Sequence, residues 1–180
     1  MDRSPNWLLF VYSLPAEPSR LRVRVWRELR RAGAVTLRDG VCALPDGARA
    51  RAWAERTRAL VAELGGAASV ARGARLDPAS AAALRAQIAS ARAEEYGEVA
   101  AEAEGLREHL AELGQHFRPG RAPAAELRGD VRRLRTWLAQ AIERDDLGLA
   151  DPTAAERAVA ACERALDELI RPATAEERSA

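Results

Sequence analysis

The sequence predicts an α+β fold: a ferredoxin-like β-α-β-β-α-β domain over residues 1–76, followed by a helical extension of about three helices over residues 77–180, packed on it. Three observations support this class. Trp7–Tyr12 is an unbroken apolar run, Asp39-Gly40 separates two short β-rich runs, and strand-like segments cease after residue 76. With 180 residues, 48% of them hydrophobic, the chain can bury one good core, and two full domains are not expected.

The domain begins with a strand and a helix. Trp7–Tyr12 is short and apolar throughout, which is typical of a central strand covered on both faces. Pro15 and Pro18 end the strand, and Ser19 is positioned to cap a helix that Gly33 closes. On a helical wheel the apolar side chains of this helix share one arc, with a tryptophan at its edge. They are Leu21, Val25, Leu29 and Ala32, and the tryptophan is Trp26.

A hairpin, a helix and a weaker strand complete the domain. The hairpin pairs Ala34–Arg38 with Val41–Leu44 through the Asp39-Gly40 turn. A helix follows over about Ala48–Leu64, and Ala67–Leu76 is the weakest of the four predicted strands. The predicted inward stripe of this helix consists of Ala52, Trp53, Leu60 and Leu64.

Helical patterns dominate from Asp77 onward. Asp77 caps and Pro78 starts a long helix, Gln115–Pro123 is a break, and further helices begin near Pro123 and Pro152. Apolar residues recur in each helix at spacings of three and four, which is also typical of helices that pair with a partner. The stripes are Val99, Ala103, Leu106, Leu110 and Leu113; Leu127, Val131, Leu134 and Leu138; and Val159, Cys162, Leu166 and Leu169.

Charge is distributed unevenly along the chain. Residues 1–76 contain 14 arginines and 7 acidic residues, whereas residues 77–180 contain 14 arginines and 20 acidic residues. The first part is therefore the candidate for a polyanionic or oxyanionic partner. Two distant cysteines, with no leader peptide and no membrane-length apolar run, predict a reduced, cytoplasmic protein that does not bind a membrane.

The first helix carries the candidate binding residues, Arg20, Arg22, Arg24, Arg27 and Arg31. All but Arg22 line the arc opposite the apolar one, which fits either a solvated helix face or a contact with a polyanion. Arg22 falls on the apolar side, between Leu29 and Trp26. At that position the guanidinium needs a carboxylate partner, access to solvent past the start of the helix, or a bound ligand. The alternatives for Arg22 are therefore a structural role and anion binding.

The sequence contains no catalytic or metal-binding signature. His109 and His116 lack cysteine or carboxylate neighbours at ligand spacing, and Cys42 and Cys162 occupy strand and stripe positions typical of buried residues. No nucleophile motif, phosphate-binding glycine loop or zinc pattern occurs. We therefore expect no enzymatic activity, no metal and no cofactor.

Several short segments together form a recognisable pattern: Trp7-Leu8-Leu9, Tyr12-Ser13-Leu14-Pro15, Leu21–Arg27, Gly33-Ala34-Val35, Gly40-Val41, Leu44-Pro45, Ala91–Tyr96, Leu134–Leu138 and Arg144-Asp145. They resemble the N-terminal domain of the bacterial chromate-resistance protein B family. The similarity is most specific over residues 7–45 and looser beyond. The strand-helix-hairpin pattern is also similar to phenylacetate-type repressors and to CRISPR subunits, whose nuclease members place an aspartate where this chain has Ser13. A hydroxyl is a poor substitute for that Mg²⁺ ligand, so we do not expect a nuclease.

The resemblance implies a transcriptional regulator of a chromate-resistance operon that binds promoter DNA and responds to chromate. The apolar spacings of the C-terminal helices also predict a homodimer. Longer family members carry a further C-terminal domain associated with sensing, which we expect this chain to lack. Two alternatives stay open. One is a dimerisation or protein-interaction module without enzymatic activity, and the other is oxyanion capture by Arg22 and its neighbours, since chromate is a tetrahedral dianion suited to guanidinium donors.

Overall fold

The computed structural model describes residues 6–116 and 124–171. It is an α+β protein, as predicted, with four strands and five helices in the described residues. The elements are β1 (Trp7–Ser13), α1 (Arg20–Ala32), β2 (Val35–Arg38), β3 (Val41–Pro45), α2 (Ala48–Glu63), β4 (Ala67–Ala74), α3 (Pro78–His116), α4 (Ala124–Arg144) and α5 (Thr153–Ile170). The predicted break after Gln115 falls largely outside the described residues, and α3 continues to His116.

The strands form one antiparallel sheet in the order β2-β3-β1-β4, so the apolar run of β1 lies in its interior. β1 pairs with β3 from Trp7 opposite Pro45 to Val11 opposite Val41, and with β4 on its other side. Gly40 closes the hairpin with φ of 72°, and its carbonyl accepts a 2.7 Å hydrogen bond from the Tyr12 amide. Only glycine fits this turn, since a Cβ there would lie 2.4 Å from the Tyr12 carbonyl oxygen.

One face of the sheet packs against α1 and α2. Leu8 and Phe10 of β1 meet Val25 and Leu29 of α1 in a cluster that α2 completes with Trp53. The Phe10 and Trp53 ring centroids are 5.1 Å apart, and the Trp53 Nε1 donates to the Glu28 carbonyl oxygen at 3.2 Å. The tilted ring contact holds α2 against β1, and the indole hydrogen bond holds α2 against α1.

The predicted inward stripe of α2 is partly wrong. Trp53 is buried, but Ala52 is exposed, and Leu60 and Leu64 are only half-buried. Trp53 sets the inward direction because its ring fills the space beside Phe10, and residues three or four positions apart then share its face. The buried residues of α2 are accordingly Ala50, Trp53, Ala54, Thr57 and Val61.

A separate cluster covers Trp7 and Ala43 on the other face of the sheet. Its buried members from outside the sheet are Leu84 and Ile88 of α3, and Leu147 and Leu149 pack against it. The chain divides into two compact units: residues up to Ser90 with Arg144–Leu149, and Ala91–Glu143 with the residues from Ala150 onward. The second face of the sheet is thus completed by residues beyond 76.

The second unit is a helical cluster with its own core. Parts of α3, α4 and α5 contribute the apolar residues at the predicted spacings of three and four. The stripes of α4 and α5 are buried as predicted, while Leu106 and Leu113 of α3 are half-buried. Arg92 is also buried here and forms a 2.5 Å ion pair with Glu95, one turn further along α3.

Candidate functional site

Helix α1 contains every predicted binding residue, and its packing decides which of them reach solvent. Val25, Leu29 and Ala32 are buried against the sheet cluster. Gly33 ends the helix with φ of 75°, and its amide donates to the Arg30 carbonyl oxygen at 3.0 Å. Ser19 occupies the N-cap position, as predicted, but it has helical backbone angles and its side chain makes no capping hydrogen bond.

Arg20, Arg24, Arg27 and Arg31 are all exposed along one side of α1, and we call them the cationic strip. The Arg31 Nη1 lies 2.6 Å from the Glu28 Oε1. In the part of the chain that the structure describes, no ion pair or side-chain hydrogen bond involves the other three. Glu28 is the one acidic residue of the helix, so the strip carries a largely uncompensated positive charge.

Arg22 does not belong to the cationic strip. It is exposed, and its Nη1 donates to the carbonyl oxygen of Ala16 in the loop that precedes α1. No carboxylate partner is recorded for it among residues 6–116 and 124–171. Of the three alternatives for Arg22, the structure shows the one in which the guanidinium extends past the start of the helix. There it connects the first turn of α1 to the preceding loop.

A second strip on the outer side of α1 was not predicted. Trp26 is 52% exposed and Val23 is 45% exposed, although the wheel places Trp26 at the edge of the apolar arc. The Arg30 Cζ lies 5.2 Å from the centroid of the Trp26 ring, which is the geometry of a cation–π contact. We call Val23, Trp26 and Arg30 the tryptophan strip. The signal in the sequence is Val23, an apolar residue nearly opposite Val25 on the wheel.

The two strips lie side by side along the outer face of α1. On a helical wheel, the direction opposite Val25 falls between Val23 and Arg27. The tryptophan strip lies on the Val23 side of that direction, and the cationic strip lies on the Arg27 side. Long guanidinium side chains can extend about as far as the indole ring from the same helix. This surface can bind phosphates along one edge and offer apolar and hydrogen-bonding contacts along the other.

The thiols do not form a reactive site. Cys42 is buried, and its Sγ lies 3.6 Å from the Phe10 carbonyl oxygen. Burial raises the pKa of the Cys42 thiol to about 12, and burial also raises the pKa of the Cys162 thiol. Both thiols are therefore mainly protonated at neutral pH.

Among the described residues of the second unit, a cavity of about 590 Å³ lies between α3 and α4. His109 lines it together with Trp137 and with Asp130, whose carboxylate is ion-paired to Arg133. No cluster of three or more histidine, cysteine, aspartate or glutamate side chains suited to a metal occurs in the described part of the chain. None of the described helices combines the length and apolarity needed to cross a bilayer.

Comparisons with known proteins identify relatives of this sequence. The family model described as "Protein ChrB, N-terminal" matches residues 22–177. A curated relative, Protein ChrB of Cupriavidus metallidurans, is 50% identical over 40 residues. That alignment covers 22% of this chain and 12% of the relative, far below two thirds of its length. No solved structure matches the chain.

Proposed function

The chain belongs to the family of the ChrB N-terminal domain, and from this premise we propose that it regulates the transcription of chromate-resistance genes by binding promoter DNA through α1. Membership of this family supports a role in chromate resistance. The contact with DNA is our inference from the charge and exposure of the helix.

The observation that carries the proposal is the unpaired state of the arginines on α1. Of its six arginines, only Arg31 has a carboxylate partner in the described structure. Helix α2 of the same unit has four arginines, and three of them, Arg49, Arg51 and Arg58, are ion-paired at 2.6 Å. The arginines of a solvated helix face normally have carboxylates close by, as those three arginines of α2 do. The face of α1 instead suits a partner that supplies the negative charge, and phosphates along a duplex do so.

The proposal has further parts. We also propose a homodimer, and chromate as an effector of DNA binding, since the family is linked to chromate. We further propose that the protein is cytoplasmic and not an enzyme. The ferredoxin-like class of the sheet unit also stays a proposal, supported by its β-α-β-β-α-β succession.

The test is DNA binding by the full chain, measured by fluorescence anisotropy on a duplex from its own upstream region and on a scrambled duplex. Titrations span about 50 to 200 mM salt, with and without chromate. We expect affinity to fall steeply with salt. Arg24→Ala with Arg27→Ala should flatten the log-log slope by about 2, one unit for each lost phosphate contact.

The matched control is Arg128→Ala with Arg132→Ala, which removes the same charge from exposed positions on α4. It should leave both the slope and the affinity near those of the wild type. Absence of binding at low salt, or equal effects of the two double variants, would contradict the proposal and favour a protein-interaction module. Weakening by chromate would support its role as effector, and unchanged affinity would remove that part.

A further inference from the structure

We propose that the tryptophan strip reads bases: α1 lies in the major groove of the duplex, Arg30 donates to a guanine, and Val23 and Trp26 contact thymine methyl groups. This inference rests on the proposed DNA-binding function and adds the residues that would make it sequence-specific. The cationic strip is assigned the phosphates of the adjacent strand, which hold the helix in register without reading sequence.

The first support is that α1 exposes large apolar side chains to solvent, which is energetically unfavourable. Five large hydrophobic residues are exposed in the described structure, and two of them, Val23 and Trp26, share one strip of α1. Neither belongs to the hydrophobic cluster that buries Val25 and Leu29 on the inner side of the helix. An aromatic ring kept in water beside a row of cations suits a ligand that is both anionic and apolar at its recognition surface.

The second support is the arrangement of Arg30. Its guanidinium lies over the Trp26 ring at 5.2 Å, and the structure records no carboxylate partner for it among the described residues. A stacked guanidinium keeps its planar fork of N–H donors available for binding. Because stacking already restricts the side chain, binding costs it less conformational entropy. In the major groove such a fork matches the O6 and N7 acceptors of guanine, which is the commonest specific contact between arginine and DNA.

The third support is the fit of the helix. Its 13 residues span about 20 Å, and an α-helix with side chains is about 10–12 Å across, close to the roughly 12 Å width of the major groove. A helix that rests on one wall of the groove directs one flank to phosphates and the other to base edges. The division of the outer face into two adjacent strips provides these two flanks.

The decisive experiment substitutes lysine for arginine, which keeps the charge and removes the bidentate fork. We expect Arg30→Lys to weaken binding to the upstream duplex about 5- to 150-fold while leaving the scrambled duplex and the salt slope unchanged. Arg128→Lys, at an exposed position of α4 outside the proposed binding surface, is the matched control, and both duplexes should bind it as they bind the wild type. Trp26→Ala should resemble Arg30→Lys, and Trp26→Phe should retain more of the discrimination.

A change in the DNA identifies the contact itself. Replacing single guanines by 7-deazaguanine removes the N7 acceptor, and at one position it should weaken the wild type but cause no further loss in Arg30→Lys. All of these side chains are exposed, so circular dichroism should show unchanged folding for each variant.

The outcomes separate the two proposals. If the wild type does not bind DNA at low salt, the proposed function fails and the base-reading role fails with it. If the wild type binds with a steep salt slope but Arg30→Lys and Arg128→Lys behave alike, Arg30 does not read a base, and the inference alone is overturned. If Trp26→Ala lowers the oligomeric mass and leaves discrimination intact, the strip is a protein interface, which also overturns it.

Discussion

Arg49 and Asp146, 97 residues apart in the chain, are joined by two hydrogen bonds: Nε to Oδ1 at 3.2 Å and Nη2 to Oδ2 at 2.6 Å. The same guanidinium donates to the Ala32 carbonyl oxygen at the end of α1 and to the Arg144 carbonyl oxygen. One side chain therefore connects the end of α1, the first turn of α2 and the segment that follows α4.

We expect Arg49→Ala to lower the free energy of unfolding by about 1 to 3 kcal/mol, since it leaves the Ala32 carbonyl and the Asp146 carboxylate without their donor. Both side chains of the pair are less than one third exposed, at 27% and 28%. Urea denaturation monitored by circular dichroism measures the change. The exposed pair of Arg31 with Glu28 is the control, and Arg31→Ala should cost less than about 0.5 kcal/mol. Equal losses in the two variants would show that Arg49 is no stronger a link than a surface arginine.

Asp46 gives a pH-dependent prediction. Its side chain is only 2% exposed and accepts hydrogen bonds from the Arg51 Nε at 2.6 Å and from the Gly73 amide at 2.7 Å. The bond from Arg51 is the largest cause that holds the pKa of Asp46 below its usual value. A lowered folded-state pKa means that this stabilisation is complete above the unfolded-state pKa, near 4, and is lost as pH falls through the folded-state pKa.

Asp46→Asn should therefore destabilise the protein by about 1 to 3 kcal/mol at pH 7 and by less in acid. Urea midpoints at neutral pH and near pH 3 give the two values, and Glu63→Gln, at an exposed position, is the control. A deficit of the same size at both values of pH would mean that the charge of Asp46 does not contribute.

Replacing Gly40 or Gly97 by alanine should change the stability of the protein in opposite directions. Gly40→Ala should destabilise by about 1 to 3 kcal/mol, because φ is 72° and the new Cβ would lie 2.4 Å from the Tyr12 carbonyl oxygen. Gly97 lies within α3, and a Cβ there meets nothing within 4 Å. Gly97→Ala should stabilise by about 0.5 to 1 kcal/mol. Thermal unfolding of both variants checks the prediction, and a neutral Gly40→Ala would show that the hairpin tolerates another turn.

The exposure of Trp26 can be measured without DNA. Trp7 and Trp53 are buried and Trp137 is half-buried, so acrylamide should quench the fluorescence of Trp26 most readily. Trp26→Phe should remove the easily quenched fraction, whereas Trp137→Phe should leave most of it. If both variants quench like the wild type, Trp26 is covered in solution, and the tryptophan strip is not a free surface.

Local sequence signals predict most of this fold. The apolar run of β1, the Asp39-Gly40 turn and the glycines that end α1 and α2 are all read within a few residues of chain, and the element bounds follow from them. The differences have another cause. Position on a helix predicts that Ala52 faces inward and that Ser19 stands at the N-cap, but neighbouring elements decide which direction a helix faces and whether a cap bond forms.

The candidate site shows the same limit. The wheel predicts that the cationic strip faces away from the core, because hydrophobic periodicity determines the buried side of α1. It does not predict that Arg22 reaches the Ala16 carbonyl, which depends on the course of the preceding loop. Nor does it predict the contact of Arg30 with Trp26, since the wheel gives the direction of a side chain from the axis and not its rotamer.

The cluster around Trp7 has a consequence for the order of folding during synthesis. Leu147 and Leu149 pack beside Trp7 and Ala43. That cluster can therefore be completed only after the ribosome has synthesised a chain roughly twice as long as the segment that forms the sheet. Until then, the nascent sheet lacks part of the cover on this face, and Trp7 is the largest side chain left under-protected. A chaperone that holds apolar nascent chains would find its binding site at the second face of β1, and truncation after Ser90 would make that transient exposure permanent.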